Sequence, residues 1–151
     1  MNAENLPAQQ ETQIRWMKWM LLAAGIYNLC WGLWVIAYPM ALFRFTHMPL
    51  PLYPWIWQCV GMIVGVYGVS YWLAAADPLR YWPIVLTGLL GKILGPIGFL
   101  IAAMAGNVPW RWGVFILTND IAWWIPFAII LLVAHRQNRH VNPPAVPLQL
   151  W

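Results

Sequence analysis

GLLGKILGPIGFLIAAMAG, residues 88–106, reads as a membrane-spanning helix interrupted by a single charge. It is apolar and rich in glycine, and it is long enough to cross about 30 Å of hydrocarbon, which takes roughly 20 helical residues. Lys92 lies in its middle. An ammonium at mid-depth costs about 2.5–3.5 kcal/mol on insertion scales, so it calls for a partner, a water-filled cavity or a chemical task.

The rest of the chain suits the same medium. Of 151 residues, 62% are hydrophobic and 8% charged. A soluble domain carries about 25% charged residues, so this chain cannot cover itself with polar surface. Four apolar segments, near 16–38, 55–76, 81–105 and 111–134, each have the length of one crossing. The expected fold is an all-α membrane protein, an up-down bundle of four transmembrane helices filling 14–135, with both termini on one side. Arg15, Lys18, Arg80, Arg136 and Arg139 flank the spans on that side, and Arg44 and Arg111 lie on the other. The positive-inside rule then predicts an N-in, C-in topology. The net charge of +4 follows from this orientation. No basic run is interleaved with stacking aromatics in a soluble segment, so nucleic acid is not an expected partner.

The polar start MNAENLPAQQETQ, residues 1–13, has no basic n-region, and no small-residue cleavage site follows the first apolar run. The first helix is therefore expected to persist in the mature protein, with 1–13 as a flexible cytoplasmic lead. PMALFRFTHMPLPLYP, residues 39–54, mixes aromatics with four prolines and predicts a structured outer loop on the membrane surface. The connections at 77–80 and 106–109 are short, which makes the helices they join antiparallel neighbours. Residues 136–151 form a tail that is basic at first and then proline-rich and extended, ending in an apolar PLQLW suited to docking.

Thirteen tryptophans are explained mostly by depth. Trp16, Trp19, Trp72 and Trp82 fall at the inner boundary and Trp34, Trp55, Trp57, Trp110 and Trp112 near the outer one, as aromatic belts. Trp123 and Trp124 lie near mid-depth beside Pro126. They serve either packing or the wall of a flat apolar ligand, with Gly91 and Gly95 as further lining candidates.

Glycine is the other recurrent device. Gly88, Gly91, Gly95 and Gly98 share one face of the third helix; Gly61, Gly65 and Gly68 share one face of the second; Gly25 and Gly32 flank Asn28 on the first. Such faces let backbones approach closely. Pro96 adds a kink and frees a carbonyl around position 92. Polar groups also recur: Asn28, Gln58, Lys92, and the pair Asn119 and Asp120 in TNDIAWWIPF, residues 118–127. A rise of 1.5 Å per residue puts them in the outer half of the bilayer, with Lys92 and Asp120 about 7 Å apart in depth. A long lysine side chain or one water spans that gap, so the two are expected to pair. Such a pair either fixes the register of the last two helices or serves a proton relay, an anionic headgroup or acid–base chemistry.

Familiar catalytic patterns are missing: no HExxH, no phosphate-binding glycine loop and no GxSxG elbow occurs. His47 lies in the outer loop, and His135 and His140 lie beyond the last span, so no haem or metal is expected to be ligated within the membrane by this chain. Cys30 and Cys59 sit inside spans with no CxxC setting to activate a thiol, and read as buried apolar packing residues.

WQCVGMIVGVYGVSYWLAAADPLRYWPIVLTGLLGKILGPIGF, residues 57–99, with TNDIAWWIPF after it, resembles the small DoxX-like class of bacterial four-helix membrane proteins. It is similar to a bacterial family sometimes labelled alkyl hydroperoxide reductase. The likeness covers most of 25–134. It implies the bundle and an association with redox or respiratory complexes, and no defined reaction. The resulting expectation is a non-enzymatic accessory or scaffolding subunit of a photosynthetic or respiratory complex in a bacterial inner membrane. It would bind lipid, other membrane subunits, or a carotenoid or other apolar pigment. The alternatives are a small transporter or proton-coupled channel using Lys92 and Asp120, and a lipid-modifying enzyme.

Overall fold

The computed structural model describes the backbone of residues 6–141 and the side chains of 11–137. Among these residues every regular element is helical: α1 (Leu6–Ala37), α2 (Ala41–Phe45), α3 (Pro54–Ala76), α4 (Trp82–Met104), a 3-10 turn (Trp110–Trp112), α5 (Gly113–Ile116), a π-helical turn (Leu117–Ile121) and α6 (Ala122–Val141). Four stretches are long and apolar enough to cross a membrane: Glu11–Ala37, Pro54–Ala76, Trp82–Met104 and Trp110–Gln137. The chain divides into two compact units, Met1–Asp77 and Pro78–Trp151.

Residues 6–13, expected as a flexible lead, are instead the first turns of α1. Pro7 near the helix start is followed by Ala, Gln and Glu, which are good helix formers, so the apolar span propagates its helix outward. At the other end α6 runs on to Val141. The rest of the expected tail, from 142 onward with PLQLW, lies outside the described residues.

In the first unit α1 and α3 pack antiparallel, backbone against backbone. A Cβ added to Gly32 would meet the Gly61 carbonyl oxygen at 2.6 Å and the Gly65 nitrogen at 3.0 Å, and one added to Gly61 would meet the Gly32 carbonyl oxygen at 2.9 Å. Two turns away the contact repeats, with Gly68 and Gly25 each facing the other's carbonyl oxygen at 2.9 Å. Lipid gives no hydrophobic drive for helices to associate, so this approach, which multiplies dispersion contacts, is what holds the pair. Asn28 is buried on the same glycine face of α1. Gln58 Nε2 donates to the Ile36 carbonyl (2.9 Å), taking up one of the last carbonyls of α1. Trp72 Nε1 reaches the Leu22 carbonyl (3.4 Å) at the other end.

The loop between α1 and α3 carries α2, closed by His47 in the left-handed region (φ 55°) with Met48 N–H donating to the Phe43 carbonyl (2.9 Å). Trp57 lies against both Trp31 and Phe43 edge to face, at 5.8 and 5.4 Å between centroids. This cluster anchors the loop to the hairpin.

Cys30 and Cys59 are both exposed free thiols, which corrects the expectation of buried packing residues. In water a thiol on a helix surface is driven inward, whereas lipid solvates a small apolar group on the outside as readily as the core does.

Candidate functional site

The second unit is built around Lys92, and Pro96 explains how. Proline has no N–H, so the carbonyl four residues earlier, that of Lys92, loses its helical donor. Trp124 Nε1 supplies the replacement from α6 at 3.0 Å. The Lys92 side chain then reaches back the other way: its ammonium donates to the backbone carbonyl of Asn119 at 2.6 Å and lies 5.7 Å from the Trp123 ring centroid. One residue is thus bonded across the helix pair at both its main chain and its side chain. Lys92 is 7% exposed and Asp120 6%.

The acceptor lies where the last span widens. In the turn Leu117–Ile121 the Ala122 N–H bonds to the Leu117 carbonyl, five residues back, where an α-helix would reach four. Pro126, one turn further on, removes another donor from the same stretch. Asn119 Nδ2 leans on the Asp120 carboxylate at 3.4 Å, while Asn119 Oδ1 is buried with no hydrogen-bond partner. Across the interface Gly95 leaves the room that Asp120 fills, since a Cβ there would lie 3.3 Å from Asp120 Oδ2.

The structure therefore brings together Lys92, Asn119, Asp120, Trp123, Trp124 and Gly95, all from unit two. Lys92 and Asp120 were expected to pair directly or through one water; the ammonium's hydrogen bond goes to a main-chain oxygen next in sequence to the carboxylate. That acceptor is invisible in a side-chain pattern; the only sequence signal for it is the run of polar residues and proline around 118–126, which an unbroken α-helix accommodates poorly. Trp124, a candidate ligand wall, is committed to the Lys92 carbonyl. Asn28 and Gln58 belong to unit one and serve the hairpin.

The glycine stripe of α4 divides. Gly88 is buried, and Gly95 packs on Asp120, but a Cβ at Gly91 or Gly98 would meet nothing within 4 Å. Among the described residues of unit two, nothing packs on those two glycines. Gly65 likewise has open space on its Cβ side, although its backbone receives Gly32.

Replacing Trp124 by Phe keeps an aromatic side chain, though a smaller one, and deletes the donor, leaving a buried carbonyl unpaired. We expect a loss of about 1–3 kcal/mol, read as a lowered midpoint in a detergent unfolding titration.

A second feature lies in unit one at the N-terminal end of α3. Phe43, Pro51, Leu52, Tyr53, Ile56 and Trp57 line a shallow groove of about 270 Å³. Its lining is almost wholly apolar, so it suits a hydrocarbon surface better than a polar ligand. Among the described residues no group of three or more His, Cys, Asp or Glu could hold a metal ion. No family model, curated protein or solved structure matches the chain.

Proposed function

We propose that the protein is a non-enzymatic accessory subunit of a larger membrane complex, of the redox or respiratory kind that the DoxX-like resemblance implies. It would sit in a bacterial inner membrane with both termini in the cytoplasm. The observation that carries this reading is how the intramembrane polar groups are used. Lys92 is bonded at both ends to the last span, Gln58 caps α1, and Asp120 fills the space at Gly95. Groups committed in this way fix helix register. What each span offers outward is large and apolar: Leu33, Ile63, Leu94 and Ile125 are 59–72% exposed. Such faces, and the groove beside Trp57, suit lipid, a neighbouring subunit or an apolar pigment.

Gentle solubilisation followed by native mass and absorbance measurements tests this. Migration at fixed stoichiometry in a larger complex, retained through two purification steps, is the expected result. A bare monomer or homo-oligomer overturns it. Reporter fusions at both ends test the topology, with cytoplasmic signals expected from each.

The second reading, proton or ion coupling at Lys92 and Asp120, draws support from the buried, unpartnered Asn119 Oδ1 beside two charges. It requires that proteoliposomes dissipate a pH gradient and that Lys92→Met abolish the flux.

A further inference from the structure

We propose that the last span is a two-register helix and that the Lys92 ammonium is the latch holding it in the wide register. The inference goes beyond the accessory role and does not depend on it.

Three observations combine. The turn Leu117–Ile121 is π-helical, a rare conformation that accommodates one extra residue and gives way to the α form unless something holds it. The contact that Lys92 makes is to a main-chain oxygen of that turn, at 2.6 Å. In a regular α-helix the same oxygen would accept from the amide four residues on, so the ammonium competes with the helical ladder. The backbone just beyond is already short of a donor at Pro126, which lowers the cost of rearranging it.

The two registers differ by one residue, so exchange between them turns the outer part of the span by about 100° relative to α6. That outer part meets α4 at Phe99, which lies edge to face with Trp110 at 6.3 Å and comes within 3.5 Å of a Cβ placed on Gly113. Drawing the ammonium off Asn119 would therefore rotate Trp110 away from Phe99 and present a different face of the outer segment. The helix would stay unbroken throughout. The latch converts a displacement of one side chain at mid-depth into a rotation at the outer surface.

Amide hydrogen exchange of the full chain in lipid nanodiscs tests this, comparing wild type with Lys92→Met/Asp120→Asn, which leaves no lone buried ion. The amides of 118–123 are expected to exchange at least tenfold more slowly in the variant, as the turn relaxes into the α ladder, while those of α4 keep their wild-type rates. Lys92→Arg, which retains a cation, is expected to exchange as wild type does. Equal or faster exchange at 118–123 overturns the proposal, and so does failure of the double variant to fold, since the charges would then be structural requirements. Deleting Thr118 removes the extra residue and should make those amides slow whatever occupies position 92. A deletion variant that still responds to Lys92→Met, or that retains fast exchange, also counts against the latch.

Discussion

Gly32→Ala is expected to destabilise the α1–α3 hairpin by about 3 kcal/mol, the upper end of what overpacking costs. The new methyl would stand 2.6 Å from the Gly61 carbonyl oxygen, 3.0 Å from the Gly65 nitrogen and 3.2 Å from the Gly65 Cα. All three are main-chain atoms of a continuous helix, so none can swing aside as a side-chain tip could. Relief requires the helices to part along their length, which gives up the dispersion contacts that hold them. Gly91→Ala is the matched control. It adds the same methyl to a transmembrane glycine where nothing lies within 4 Å, and alanine is the better helix former by about 0.5–1 kcal/mol. Its stability is expected to equal or exceed that of wild type. A detergent unfolding titration of the two variants side by side decides the matter; equal losses would mean that glycine content, and not backbone proximity, sets the effect.

Lys92→Met is expected to cost about 3–5 kcal/mol, because it removes the cation beside a buried carboxylate. Asp120 is 6% exposed, and its polar contact within the unit is the Asn119 amide at 3.4 Å. Without the ammonium the carboxylate stays in a low-dielectric site with little to offset its desolvation. Asp120→Leu alone should be destabilising too, since it strands the ammonium, though Asn119 still accepts its hydrogen bond at 2.6 Å. The double variant Lys92→Met/Asp120→Leu should recover most of the loss, as buried ion pairs exchanged for apolar residues of similar volume commonly do. A double variant as unstable as the sum of the singles would show that the two charges act independently. A stable double variant that fails to complement a deletion strain would assign the charges a role beyond folding.

The spans could be read from apolar run length alone, and the described helices agree with the expected segments to within a few residues at most ends. The hairpin glycines were legible for the same kind of reason: Gly25 and Gly32 on one helix and Gly61 and Gly68 on the other fall at spacings that put them on single faces, and those faces meet. The members of the Lys92 site were legible as residues, since a charge, an amide and a carboxylate are conspicuous in hydrocarbon. Their connection was not. It depends on two main-chain oxygens, one freed by Pro96 and one inside the wide turn at 117–121, and a face drawn at 3.6 residues per turn misplaces everything on one side of such a turn. Gly91 and Gly98, expected to pack, face open space within unit two. Spacing identifies a face, but nothing in a face says whether another helix covers it.

The mutual glycine contact between α1 and α3 also bears on the genetics of the protein. A clash between two side chains can be relieved by a second mutation that trims the partner. At Gly32 the partners are the main chain at Gly61 and Gly65, and glycine has nothing left to remove. Second-site suppressors of a Gly32 defect should therefore not arise at the facing positions, and true revertants should restore glycine at 32 itself.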